Sequence, residues 1–187
     1  MVCRFQKALI LIGCLAGIVW ATEPGALWID VPFVKQEKNA CGAASTAMIM
    51  QYWQHQQHHP AEESQDASQI QHALYSAKAH GIYASALQRY LGDHGYRTFV
   101  FQGTWNDLKQ HVEKGRPLLV ALQPHSGAEL HYVVVTGFDE NRKLVLVNDP
   151  AERKLLEREW HEFEREWRAT EHWTLLALPR EDAPSVR

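Results

Sequence analysis

Residues 130–149 read Leu130-His131-Tyr132-Val133-Val134-Val135-Thr136-Gly137-Phe138-Asp139-Glu140-Asn141-Arg142-Lys143-Leu144-Val145-Leu146-Val147-Asn148-Asp149. Two apolar, largely β-branched runs, Leu130 to Phe138 and Lys143 to Asn148, flank a polar turn from Asp139 to Arg142. That pattern predicts a β-hairpin. Before it, Leu118 to Leu122 is a continuous apolar run, expected as a central strand, and after it Trp173 to Leu178 is expected as a last strand. The N-terminal half differs in kind. From Ala40 to Trp53, Ala44, Met48 and Tyr52 repeat at helical spacing with Ala47 and Ile49 beside them. Asp66 to Ala79 places Ile70, Ala73, Leu74 and Ala77 on one helical face and is expected to close at Gly81. Ser85 to Asp93 predicts a further helix, Tyr96 to Phe101 a strand, and Thr104 caps a helix running to about Lys114. Leu27 to Val34 reads as a short edge strand, where Pro32 is tolerated. Helices first and antiparallel strands after them define an α+β domain over 27–179, with a tail over 180–187.

The chain has 187 residues, 45% of them hydrophobic, enough for one core that needs no disulfide staples. Nineteen basic against twenty-two acidic residues give a net charge of −3, which argues against a broad grip on nucleic acid. No Gly-x-x-x-x-Gly-Lys loop is present, so no ATP site is expected. Residues 1–21 have the form of a signal peptide: Arg4 and Lys7, an apolar run from Ala8 to Trp20, and Val19-Trp20-Ala21 ahead of Thr22. Cleavage near Ala21 is expected. The alternatives are lipidation at Cys14 within Leu11-Ile12-Gly13-Cys14, which would add a lipid anchor, and an uncleaved anchor. Each places the domain outside the cytoplasm, as a periplasmic or otherwise exported protein. Cleavage removes Arg4 and Lys7 and leaves −5, with Cys41 the remaining cysteine of the three. A lone thiol in an oxidising compartment is either an inert core residue or a reactive one.

Cys41 sits where the first helix begins, in Gln36-Glu37-Lys38-Asn39-Ala40-Cys41-Gly42-Ala43-Ala44. Unsatisfied N–H groups and the positive helix end favour the nucleophilic thiolate there. Gly42 is expected to leave space above the sulfur for a substrate backbone. With Glu140 at the centre of the hairpin turn, His131 and Asp149 become direct cross-strand neighbours, an imidazole held beside a carboxylate. A helix-start Cys, a strand His and a partner Asp are what thiol acyl transfer needs. Gln36, in the loop entering the helix, can aim its amide at the oxyanion position together with the Cys41 N–H.

Val31-Pro32-Phe33-Val34-Lys35-Gln36, Ala40-Cys41-Gly42-Ala43-Ala44, His131-Tyr132-Val133-Val134-Val135-Thr136-Gly137-Phe138 and Asn148-Asp149-Pro150 together resemble the papain-like bacteriocin-processing peptidases. Those enzymes cleave after double-glycine leaders. The resemblance spans 27–179 with the motifs in family order. It implies a papain-like α+β fold, a nucleophile helix packed on an antiparallel sheet, and a cysteine peptidase. Its catalytic Cys, His and Asp and its oxyanion Gln carry over to Cys41, His131, Asp149 and Gln36. No cofactor is implied. The best-known members are cytoplasmic domains of ABC exporters, whereas this chain begins with an export-like segment. The expected substrate is therefore a peptide or protein of the cell envelope, and double-glycine specificity is not carried over. A catalytically silent peptide-binding module is one alternative. Another is a different thiol acyl-transfer enzyme, transglutaminase-like or amidase-like.

Other residues attract blander readings. His55, His58 and His59 could ligate a metal if the helix reached them, but a solvated loop is the simpler expectation. His125 and Asp139 are rival triad members. Trp105, Trp160, Trp167 and Trp173 are expected in the core, and the run of Glu157, Glu159, Glu162, Glu164 and Glu166 with Arg158 and Arg165 on a solvated face. Specificity is expected from loops 54–65 and 123–129.

Overall fold

A computed structural model describes residues 25–58 and 66–180 of the chain. The expected signal segment with Cys14 lies outside the described residues, as do His59 and positions 181–187. The elements run β1 (Leu27–Trp28), α1 (Cys41–Gln56), α2 (Ala67–Leu74), α3 (Ala84–Asp93), β2 (Tyr96–Gln102), α4 (Trp105–Glu113), β3 (Leu118–Leu122), β4 (His131–Asp139), β5 (Leu144–Asn148), β6 (Leu156–Glu159), α5 (Trp160–Arg168) and β7 (Trp173–Pro179). The strands form one antiparallel sheet in the order β2-β7-β3-β4-β5-β6, with β1 paired to the far end of β4.

Alternation along the central strands sends successive side chains to two cores. Leu119, Ala121, Tyr132, Val134, Leu175 and Ala177 pack with Ala43, Ala47, Met48 and Met50 of α1, and Ile70, Leu87 and Leu91 join them from α2 and α3. The intervening residues Leu118, Val120, Val133, Val135 and Val147 face the other way, onto Leu108 and Val112 of α4 and Phe163 and Trp167 of α5. Strand β3 is buried along its whole length, as a strand covered on both faces must be.

The α+β architecture follows the sequence pattern, and four local expectations need correction. The segment from Leu27 to Val34 forms only a two-residue strand, and the rest runs as irregular chain. Helix α2 ends at Leu74 rather than near Ala79, and Ser76 instead pairs with Gly81 across a tight turn. Glu166 is buried and paired with Arg158 at 2.9 Å, so it leaves the solvated face assigned to its neighbours. Trp167 is fully buried, whereas Trp105, Trp160 and Trp173 are half-buried at core edges. Thr104 caps helix α4 as expected, and does so within a capping box, Thr104 and Asp107 exchanging hydrogen bonds.

Candidate active site

Cys41 is the first residue of α1, so its N–H belongs to the first turn that has no intrahelical acceptor. The approach to it is held tightly. Asn39 takes a left-handed conformation (φ 57°), the Ala40 N–H donates to the Glu37 carbonyl at 3.2 Å, and the Gln36 N–H donates to the Pro150 carbonyl at 2.9 Å. That last bond ties the loop entering α1 to the residue after Asp149. The Oε1 atom of Gln36 is buried without a hydrogen-bond partner among the described residues.

Gly42 does not leave open space above the sulfur. A Cβ there would stand 3.4 Å from Ile82 and from the Tyr132 ring, in ordinary contact, so this position is packed against β4 rather than open. Ser45 strengthens the same contact by donating from its buried hydroxyl to the Tyr132 carbonyl at 3.0 Å. Helix and strand are thus fastened next to His131. Leu130, on its other side, places its carbonyl 4.0 Å from the Cys41 sulfur.

His131 and Asp149 meet, but not through the register expected from the turn. Near the turn, Asp139 pairs with Leu144, Phe138 with Val145 and Gly137 with Leu146; past Thr136, Val135 pairs with Val147 and Val134 with Asn148. Thr136 is therefore an extra residue, a β-bulge. Continuing that register sets Asp149 against Val133, two positions from His131 and on the same face. Without the bulge Asp149 would fall opposite Val134 and point away from His131. The bulge is pinned: the Thr136 carbonyl accepts the Ile29 N–H at 2.7 Å and its hydroxyl donates to the Leu146 carbonyl at 3.2 Å. At Gly137 a Cβ would lie 2.6 Å from the Leu27 carbonyl oxygen, so only glycine admits β1 here.

Across the resulting diagonal, His131 Nε2 lies 2.8 Å from Asp149 Oδ1. The same oxygen accepts the Ala151 N–H at 2.9 Å, and Asn148 anchors the turn by donating to the Val31 carbonyl and accepting from Leu155. Burial pushes the imidazole down, but hydrogen bonds and charge from Asp149 and from Cys41 outweigh it and raise His131 to about 9. Burial likewise pushes the Asp149 carboxyl up, and the imidazolium, the Ala151 N–H and Arg158 outweigh it, leaving Asp149 below its ordinary value. With Nε2 engaged by the carboxylate, Nδ1 is the nitrogen left for the sulfur. The imidazole thus lies between the Asp149 carboxylate and the Cys41 sulfur.

The structure thus brings Cys41, His131 and Asp149 together, with Gln36 in the adjoining loop. The rivals lie elsewhere: His125 is exposed and bonded to the Ser126 carbonyl, and Asp139 caps the hairpin turn through the Arg142 N–H. His55 and His58 are exposed, and no group of three metal-ligating side chains occurs among the described residues. No helix among them is long and apolar enough to cross a membrane. Sequence reasoning missed Ser45, Leu130, Thr136 and Asn148. Thr136 carried a signal of its own, because a Thr-Gly step interrupts an otherwise regular apolar strand, and Asn148 stood in the Asn148-Asp149-Pro150 motif without a role.

A nucleophile helix packed on an antiparallel sheet, with Cys and His facing one another across that junction, defines the papain-like cysteine peptidase fold. Solved structures share it, and three of them illustrate the likeness to this chain. A protein described as a C39-like peptidase from Bacillus anthracis is 16% identical, with a TM-score of 0.64 over 86% of this chain and all of the other. The peptidase domain of Streptococcus ComA, a bifunctional ABC transporter of a quorum-sensing pathway, is 17% identical, with 0.62 over 79% and 98%. A double-glycine motif protease from an AMS/PCAT transporter, solved with its leader peptide, is 20% identical, with 0.61 over 84% and 100%. No functionally curated protein matches in sequence. The sequence profile of the peptidase C39-like family matches residues 28–174, and the chain belongs to that family.

Proposed function

We propose that this chain hydrolyses peptide bonds as a cysteine peptidase, with Cys41 as nucleophile, His131 as proton carrier, Asp149 as its orienting partner and Gln36 as an oxyanion donor. The observation that carries it is the 2.8 Å contact of His131 with Asp149, made by an imidazole that also feels Cys41. The Cys41 thiolate adds to the substrate carbonyl, and the oxyanion is met by the Cys41 N–H and the Gln36 amide. The His131 imidazolium then gives its proton to the leaving amine as the C–N bond breaks, forming a thioester. Neutral His131 next takes a proton from water, which attacks the thioester and releases the acid. Thiolate and imidazolium are regenerated as the proton stays on His131. Asp149 remains ionised throughout, fixing the ring.

The substrate we assign is a peptide or protein of the cell envelope, from the export-like character of residues 1–21. Peptide binding by the double-glycine relative accords with a peptide substrate. Lipidation at Cys14 remains the alternative to cleavage near Ala21. Incubation of the purified protein with a proteome-derived peptide library, read by mass spectrometry, tests the activity. Wild-type protein should generate new termini, and Cys41→Ala should generate none while melting at the same temperature. Cleavage that persists in Cys41→Ala overturns the mechanism.

A further inference from the structure

Trp105 and Trp160 are half-buried, so part of each ring is left over from the core it edges. Their centroids lie 4.5 Å apart with the planes at 49°, a wedge rather than a closed stack. Both rings line a cavity of about 540 Å³ on the side of the sheet that carries α4 and α5, opposite the nucleophile helix. Trp167 forms another wall. Gly103 lets the end of β2 lie against it, since a Cβ there would stand 2.6 Å from the Trp167 ring.

The remaining lining is polar and acidic. Glu164 Oε1 meets His172 Nε2 at 2.8 Å, and both side chains are partly exposed. Glu171 and His172 take left-handed backbone conformations (φ 54° and 56°), uncommon for residues with a side chain. The Gly103 N–H fixes that turn by donating to the His172 carbonyl at 2.9 Å. Gln102 Nε2 donates to Glu171 Oε2 at 3.5 Å, and the Thr104 hydroxyl donates to the Asp107 carboxylate at 2.6 Å. Among the described residues no lysine or arginine lines the cavity. Apart from His172, the charged groups in and beside it are the carboxylates of Glu164, Glu171 and Asp107.

Such surroundings attract a cation, through the carboxylate within and through the negative faces of the indoles. Hydrogen bonding decides which kind. The polar groups of the lining are engaged with one another or with their neighbours, so few acceptors remain for a new donor. A primary ammonium or a guanidinium brings several N–H groups that would go unpaired, whereas a quaternary ammonium brings none. We propose that the cavity binds a quaternary ammonium, a trimethylammonium head of the choline kind, between the Trp105 and Trp160 rings and the Glu164 carboxylate. This is a second site, across the sheet from Cys41, and it stands whether or not the chain cuts peptides.

Calorimetric titration of the full chain with choline chloride tests this. The neutral alcohol that carries a tert-butyl group in place of the trimethylammonium serves as the shape control. Choline should bind saturably, and about tenfold more tightly than the alcohol or better. n-Butylammonium should bind more weakly than choline; the reverse order overturns the quaternary assignment in favour of a lysine side chain. Glu164→Gln keeps an acceptor for His172 and removes the charge, and Trp160→Leu removes one ring. Each should weaken choline binding about tenfold. Melting curves show which variants remain folded, and Glu164→Gln, at a partly exposed polar side chain, decides if Trp160→Leu does not fold. No saturable binding of choline, equal binding of the alcohol, or unchanged affinity in folded Glu164→Gln overturns the site. Phosphatidylcholine vesicles, set against phosphatidylglycerol vesicles, identify the source of the group. Retention on phosphatidylcholine that is lost in Glu164→Gln assigns a lipid headgroup, and choline binding without retention assigns a free ligand.

Discussion

At the residue scale the site depends on one shared oxygen. Asp149 Oδ1 accepts both the His131 ring and the Ala151 N–H, so the carboxylate is oriented by its own turn before it orients the imidazole. Replacing Asp149 with Asn removes the negative charge and one raising influence on His131 while keeping the shape of the turn. Burial alone pushes that imidazole down, so the variant should lose its proton at lower pH than the wild type, where His131 is raised to about 9. Peptidase activity of the wild type should therefore fall on the alkaline side near pH 9, and the fall should move to lower pH in Asp149→Asn. At neutral pH the variant should lose kcat by roughly 10²- to 10⁴-fold, the usual worth of a positioned acid–base group. A pH–rate profile with the same alkaline limb in both proteins would show that the carboxylate does not govern His131.

At the element scale the β4–β5 hairpin decides whether those two side chains share a face. The turn sets one register, Thr136 shifts it by one residue, and the shift brings Asp149 back to the side of His131. Thr136→Val keeps the β-branched shape but removes the hydroxyl that reaches the Leu146 carbonyl. Loss of a buried hydrogen bond should cost about 1–3 kcal/mol, read as a lower urea midpoint. If the bulge aligns the site, alkylation of Cys41 below pH 6 should also slow, because the sulfur loses a fixed imidazolium. A destabilised variant with unchanged alkylation would confine Thr136 to a structural role. The hairpin also shows what was legible in the sequence. Apolar runs and turn residues reveal strands and partners, and the four motifs named Gln36, Cys41, His131 and Asp149 before any geometry. Register was not legible, because a bulge is held by groups distant in sequence, here Ile29 and Leu146. Burial of Glu166 escaped for the same reason: its partner Arg158 lies on β6, and a charge-rich run cannot show which member turns inward.

At the scale of the whole molecule, the candidate site sits where a helix of one core meets the central strand that divides the two. Its titration is therefore coupled to folding. His131 is raised from 6.5 to about 9, so the stabilisation it brings is fully present below pH 6.5 and is lost as pH rises through about 9. Asp149 is lowered from 3.8, so its contribution is present above pH 3.8 and is lost as pH falls through its folded value. Between those limits, from about pH 4 to 6.5, both contributions stand together. The wild-type melting temperature should accordingly decline between pH 6.5 and 9.5, and part of that decline belongs to this pair. In Asp149→Asn the imidazole loses its principal reason to stay protonated, so the decline over the same interval should be shallower. Groups remote from the site titrate alike in both proteins and cancel in the comparison. Parallel melting curves across that interval would place the His131–Asp149 contact outside the folding balance, whatever its part in catalysis.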